Sequence, residues 1–102
     1  MSKRSTLTKV VDERGWVLCK SGVRGERREE VWVDENGKVG RYNLAFILPT
    51  ATVDNGRVLG YDNAHGAPQR HLMGAVELAP VEDYEVTYER FQRELDQIRR
   101  TR

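Results

Sequence analysis

Apolar and polar positions alternate along most of this chain and change to a helical spacing near its C-terminus. The alternating part predicts short strands at Lys9–Asp12 and Trp16–Lys20, on either side of a turn at Glu13-Arg14-Gly15. Ser21–Arg27 is polar and contains glycine, which predicts a loop. Glu29–Asp34 alternates again and leads into Glu35-Asn36-Gly37-Lys38. Asn-Gly there is a strong hairpin signal, because both residues tolerate positive φ. Val39–Leu48 is the next strand, and Leu44-Ala45-Phe46-Ile47-Leu48 is its most buried stretch. Pro49 ends it. Asp54-Asn55-Gly56 repeats the turn signal ahead of Arg57–Tyr61. A strand end, a Gly/Pro loop and a further short strand then fill Gly60–Gly74. Tyr84, Tyr88, Phe91, Leu95 and Ile98 recur at spacings of four, three, four and three, which puts them on one helical face;. Asp83 stands where a cap belongs, and Glu89–Arg93 and Asp96–Arg100 are i,i+4 pairs on the solvated side. The expected fold is α+β, a single domain over residues 1–102. It is an antiparallel β-meander of about five or six strands, spanning residues 9–75, covered by one C-terminal amphipathic helix at 83–100.

Composition narrows the class. The 102 residues suit one domain with one modest core, and 38% hydrophobic against 32% charged residues is polar but globular;. The net charge of +1 carries no overall basic signal. Its distribution is uneven: residues 1–51 hold ten Lys/Arg against seven Asp/Glu, and residues 52–102 hold seven against nine. Basic residues gather at Lys3, Arg4 and Lys9, at Arg24, Arg27 and Arg28, and at Arg99, Arg100 and Arg102. Such groups can meet phosphates or simply be solvated. The single cysteine, Cys19, excludes an internal disulfide and sits in an apolar run as a packed strand residue rather than a nucleophile;. No stretch is apolar enough to span a membrane, and a reducing cytoplasm fits the cysteine usage.

Candidate chemistry concentrates in Gly60–Gly74, which holds both histidines, an Asp-Asn pair and an arginine beside a histidine. No metal-binding spacing, Walker-type loop or dinucleotide fingerprint is present, so neither metal nor cofactor is expected. An acid–base and cation set remains. Cleaving RNA requires one group to take the 2′-hydroxyl proton, another to protonate the leaving 5′-oxygen, and a cation on the phosphate. His65 and His71 suit the proton transfers and Arg70 suits the phosphate. Strand parity sets a condition on this. In a regular strand Arg70 and Leu72 face one way and His71 and Met73 the other, so a bulge or strand end must re-aim one of them. Structural roles are equally open: His71 half-buried against backbone, His65 solvated in its loop, Asp62-Asn63 forming an Asx turn, and Tyr61 either in the core or stacked on a base.

Arg41-Tyr42-Asn43-Leu44-Ala45-Phe46, then Gly60-Tyr61-Asp62-Asn63-Ala64-His65-Gly66, then Arg70-His71-Leu72-Met73-Gly74 and a closing helix resemble the TumE-like family. These are small toxin components of toxin–antitoxin pairs. The family's pattern runs Tyr-Arg-Leu-Ala, then Arg-Tyr-Asp-Asn with Gly following, then His-Arg-His with Gly close behind. The likeness covers residues 38–100. It implies a toxin acting on RNA and paired with a helix-turn-helix antitoxin. Its catalytic residues would be His71, Arg70 and His65, with Tyr61, Asp62, Asn63 and Gln69 contacting the substrate. Gln69 stands where the family often has the first histidine, and Gly60 where it often has arginine. Competing expectations are a binding module without catalysis, or a homo-oligomeric subunit joined through a strand edge or the Tyr84–Ile98 face.

Overall fold

Strand pairing follows chain order in the computed structural model, which describes residues 6–102; Lys3 and Arg4 of the first basic cluster lie outside the described residues. The strands are β1 Thr8–Leu18, β2 Arg24–Val33, β3 Val39–Ile47, β4 Arg57–Asp62, β5 Gln69–Leu72 and β6 Ala75–Leu78, and the helix α1 is Tyr84–Thr101. All neighbours are antiparallel and the order is β1-β2-β3-β4-β5-β6, an open meander with one C-terminal helix. The fold class expected from the alternation is therefore the one observed.

Four local expectations are corrected. The proposed turn at Glu13-Arg14-Gly15 does not exist; β1 runs straight through it, with Glu13, Arg14 and Gly15 opposite Glu29, Arg28 and Arg27. Ladder bonds to β2 outweigh the local preference of one glycine. The loop expected at Ser21–Arg27 is shorter, because β2 begins at Arg24. The reversal lies at Cys19–Val23, where the Cys19 N–H donates to Val23 O at 2.8 Å. That turn also caps α1: the Lys20 and Ser21 N–H groups donate to Arg99 O and Arg102 O, carbonyls the helix leaves unpaired at its C-terminus;. The Asn36-Gly37 hairpin forms as expected, held by Asp34 Oδ1 accepting from the Asn36 and Lys38 N–H groups. The second Asn-Gly does not close a tight hairpin. It ends a wider β3–β4 connection, in which Asp54 and Asn55 take left-handed conformations at φ 49 and 54. A two-residue turn instead lies at Met73-Gly74, with φ 50 and 88, between the paired Leu72 and Ala75;. Met73 is thus a turn residue, not a strand partner of His71.

The core forms on one face. Tyr42, Leu44 and Phe46 of β3 and Leu59 and Tyr61 of β4 point toward the helix, which answers with Thr87, Phe91 and Leu95. Phe91 and Tyr61 meet edge to face, with centroids 6.4 Å apart and planes at 89°;. Tyr84, Tyr88 and Ile98 pack at the margin of this core, so the 4-3-4-3 stripe is the face that covers the sheet. Asp83 occupies the cap position, but its side chain makes no capping bond. Asp96 pairs with Arg100 at 3.0 Å, whereas Glu89 and Arg93 form no ion pair. Cys19 is buried in the core just past the end of β1, while Trp16 and Leu18 of the same apolar run point outward, 72% and 62% exposed. No helix among the described residues is long and apolar enough to cross a membrane.

Phe91→Ala is expected to lower the unfolding free energy by about 3–5 kcal/mol, because the ring is fully enclosed;. Trp16→Ala should stay within roughly 0.5 kcal/mol of wild type. Urea denaturation of the two variants checks the assignment of the core to the helix side.

Candidate functional site on the open face of the sheet

The face away from α1 carries the alternate set of side chains. On β3 these are Arg41, Asn43, Ala45 and Ile47; opposite them on β2 lie Trp32, Glu30, Arg28 and Glu26. On β4 they are Gly60 and Asp62, and on β5 Gln69 and His71. Arg57 joins them through an irregularity. Phe46 pairs with Leu59, but Ile47 pairs with Arg57, so Val58 is an extra residue in β4. This bulge reverses the parity before it and turns Arg57 to the open side. Gly60 then makes room, since a Cβ there would stand 2.9 Å from Arg57 Cδ and 3.2 Å from Leu44 O. The arginine arm lies across the sheet where a side chain at residue 60 would otherwise project.

Arg57, Asp62 and His71 form a bonded group at this point. His71 Nε2 is 2.8 Å from Asp62 Oδ2, and His71 Nδ1 is 3.0 Å from Arg57 Nη2. A guanidinium only donates, so Nδ1 accepts and Nε2–H donates to the carboxylate. Arg57 Nε donates to Asp54 Oδ2 at 2.7 Å. Asp62 Oδ1 accepts from the Ala64 N–H at 3.2 Å, the Asx turn considered for this pair;. His71 and Asp62 are both buried. The histidine is thus held by side chains rather than backbone, and both of its ring nitrogens are engaged.

This group forms one wall of a groove of about 450 Å³ lined by Trp32, Arg41, Asn43, His65, Gln69 and His71, among others. Trp32 lies between two cations, with Lys9 Nζ 5.1 Å and Arg41 Cζ 4.8 Å from its ring centroid;. Glu30 is tied to Lys9 at 2.7 Å and to Asn43 at 2.9 Å, and the Lys9 bond holds its carboxyl below the ordinary value. Arg41 is exposed and has no carboxylate partner among the described residues. Like Arg41, the exposed His65 makes no side-chain hydrogen bond among the described residues.

Arg70 lies on the other face. It pairs with Tyr61 across the ladder and binds the helix through Nη2 to Glu94 Oε2 at 2.7 Å and Nε to Glu94 Oε1 at 3.2 Å. Nη1 reaches Glu77 Oε1 at 2.8 Å. Tyr61 donates to Glu94 at 2.5 Å. Burial, with the Glu94 bond second, pushes the Tyr61 hydroxyl up to about 12. Glu94 feels burial upward, but its bonds from Arg70 and Tyr61 leave it below its ordinary value. Arg70, its Glu94 bond foremost, is held above its own. The sequence-derived set is therefore divided. His65, His71, Asp62 and Gln69 share the groove. Arg70 is removed from it because β5 is regular and its parity holds, and Tyr61 is core rather than a base platform. Asn63 ties the two strands together: its Oδ1 accepts from the Tyr42 N–H at 2.9 Å and its Nδ2 donates to Gly40 O at 3.1 Å, extending the β3–β4 ladder. Arg57, Arg41 and Trp32 are among the groove residues not foreseen. Alternation from Arg41 to Ile47 places Arg41 outward, but regular alternation in β4 places Arg57 inward.

Among the described residues, no three His, Cys, Asp or Glu side chains converge in a group able to hold a metal ion. No protein family, curated protein or solved structure matches this chain.

Glu94, held low in the fold, contributes stability above its unfolded value and loses it as pH falls through the folded one;. Stability is expected to decline on acidification below the usual carboxylate range. Glu94→Gln should be less stable than wild type at neutral pH and show a shallower decline; parallel denaturant curves at falling pH check this, and equal slopes would contradict it.

Proposed function

We propose that this protein is the toxin component of a toxin–antitoxin pair, a small metal-independent endoribonuclease of TumE-like type acting in the cytoplasm. One observation carries the reading: both histidines, the Asp62-bound His71 and the exposed His65, line one groove together with Arg57, Arg41 and Trp32. Unpaired RNA is recognised by stacking of bases on aromatic rings and guanidinium planes, with cations along the backbone. Trp32 and Arg41 offer such a stack at 4.8 Å. The two imidazoles share the proton work. One takes the 2′-hydroxyl proton as O2′ attacks phosphorus, the P–O5′ bond breaks, and the other returns a proton to O5′. The products are a 2′,3′-cyclic phosphate and a 5′-hydroxyl. Arg57 takes the phosphate role expected of Arg70. Its arm crosses Gly60, where the TumE-like pattern has arginine, so a guanidinium reaches the same face from three residues earlier. A helix-turn-helix antitoxin is the expected partner.

RNA binding without cleavage is the second reading, favoured by the engagement of both ring nitrogens of His71. Induced expression separates the two. Wild type should arrest growth and yield RNA fragments with 2′,3′-cyclic ends. His65→Ala and His71→Ala should each reduce cleavage by about 10²–10⁴-fold. Intact RNA in arrested cells would sink the nuclease and leave the binding module.

A further inference from the structure

The bond between Arg57 and His71 is one that an anion would rearrange. Arg57 Nε is anchored on Asp54 Oδ2 at 2.7 Å. Nη2 donates to the neutral acceptor His71 Nδ1 at 3.0 Å, and Nη1 stands 3.9 Å from Asp62 Oδ2, outside hydrogen-bond range;. Among the described residues, Nη1 therefore has no acceptor. A guanidinium bonded to a neutral imidazole gains by exchanging it for an ionised oxygen, and its fork matches two oxygens of one phosphate. The Gly60 gap gives the arm room to turn about its Asp54 bond, since no Cβ bears on Arg57 Cδ or Nε. The charged and titratable groups around it are Asp54 from the β3–β4 connection, Asp62 from β4 and His71 from β5, with Glu30, Arg41 and His65 along the rest of the groove.

We infer that Arg57 is the phosphodiester-binding residue of this groove, and that a bound phosphate draws its guanidinium off His71 Nδ1 and so uncovers that nitrogen for the substrate. The inference rests on the reading of the groove as an RNA site, and names the backbone phosphate as the ligand and Arg57 as the residue that controls His71. Without ligand, His71 is a strut between Arg57 and Asp62. With ligand, Asp62 still fixes the ring through Nε2, and Nδ1 is free to exchange a proton.

The test uses the ¹⁵N-labelled chain and a thymidine dinucleoside monophosphate, which has the phosphodiester but no 2′-hydroxyl and is not cleaved. Ring nitrogens are followed by long-range ¹H–¹⁵N correlation, with the His71 signals identified from His71→Gln. Saturating dinucleotide should move the His71 Nδ1 resonance while Nε2 stays protonated. Arg57→Gln should weaken binding by about tenfold or more, the loss expected for a charge-assisted bond, and Arg57→Lys should recover part of it. An unmoved Nδ1 at saturation, absence of saturable binding, or wild-type affinity in Arg57→Gln would overturn the inference. If Arg57→Gln fails to fold, the wild-type titration decides. A protein that shows the Nδ1 response but leaves RNA intact keeps the phosphate site and loses the nuclease reading. Cleavage without the response keeps the nuclease and removes the role of Arg57.

Discussion

Phe91, edge-on to Tyr61 with Thr87 and Leu95 buried beside it, fixes one helix against the middle of the sheet. A helix is about 10 Å across and strands lie about 4.8 Å apart, so one helix dries two or three strands and no more. The buried residues obey that arithmetic. They concentrate on β3 and β4, while β6 and most of β1 remain open and Val76 and Leu78 are 57% and 77% exposed. The same contact makes the two sheet faces unequal, and every later feature follows from which face a side chain takes.

Polar groups on the helix side serve the packing. Arg27 bonds Gln92 and Tyr88, Glu29 accepts from Tyr84, and Arg70 and Tyr61 hold Glu94. These clamps stand on both flanks of the apolar stripe and satisfy groups that the helix half-buries, which would otherwise cost more than the bonds return. Arg70 illustrates the sorting. It lies beside His71 in sequence, yet its fork is spent on a structural carboxylate. The open face has no helix to hold, so its polar groups bond one another around a groove instead.

The bulge at Val58 decides the composition of that groove. In regular pairing Arg57 would join Leu59 and Tyr61 beneath the helix, where an arginine would need a carboxylate of its own. One extra residue sends it to the open side, onto His71 and Asp54. The same strand then returns to regular alternation, which delivers Asp62 to His71.

The antiparallel meander, the Asn36-Gly37 hairpin, the buried run at Leu44–Leu48 and the helical stripe were all legible in the sequence. Each depends on short-range periodicity or on the φ tolerance of one or two residues. Parity also gave the separation of Arg70 from His71. Tertiary structure alone decided the rest. Continuity of β1 through Gly15 comes from its ladder to β2, and the caps on α1 come from a turn distant in the chain. The groove was half legible: His65, Asp62, Gln69 and His71 line it, but Tyr61 and Asn63 were drawn into core and ladder. Arg57 entered through a register shift between β3 and β4 that no local pattern encodes, because a bulge is defined by the partner strand. What the sequence determined by itself was which side chains alternate; which face each alternate set would meet was set by where one helix could pack.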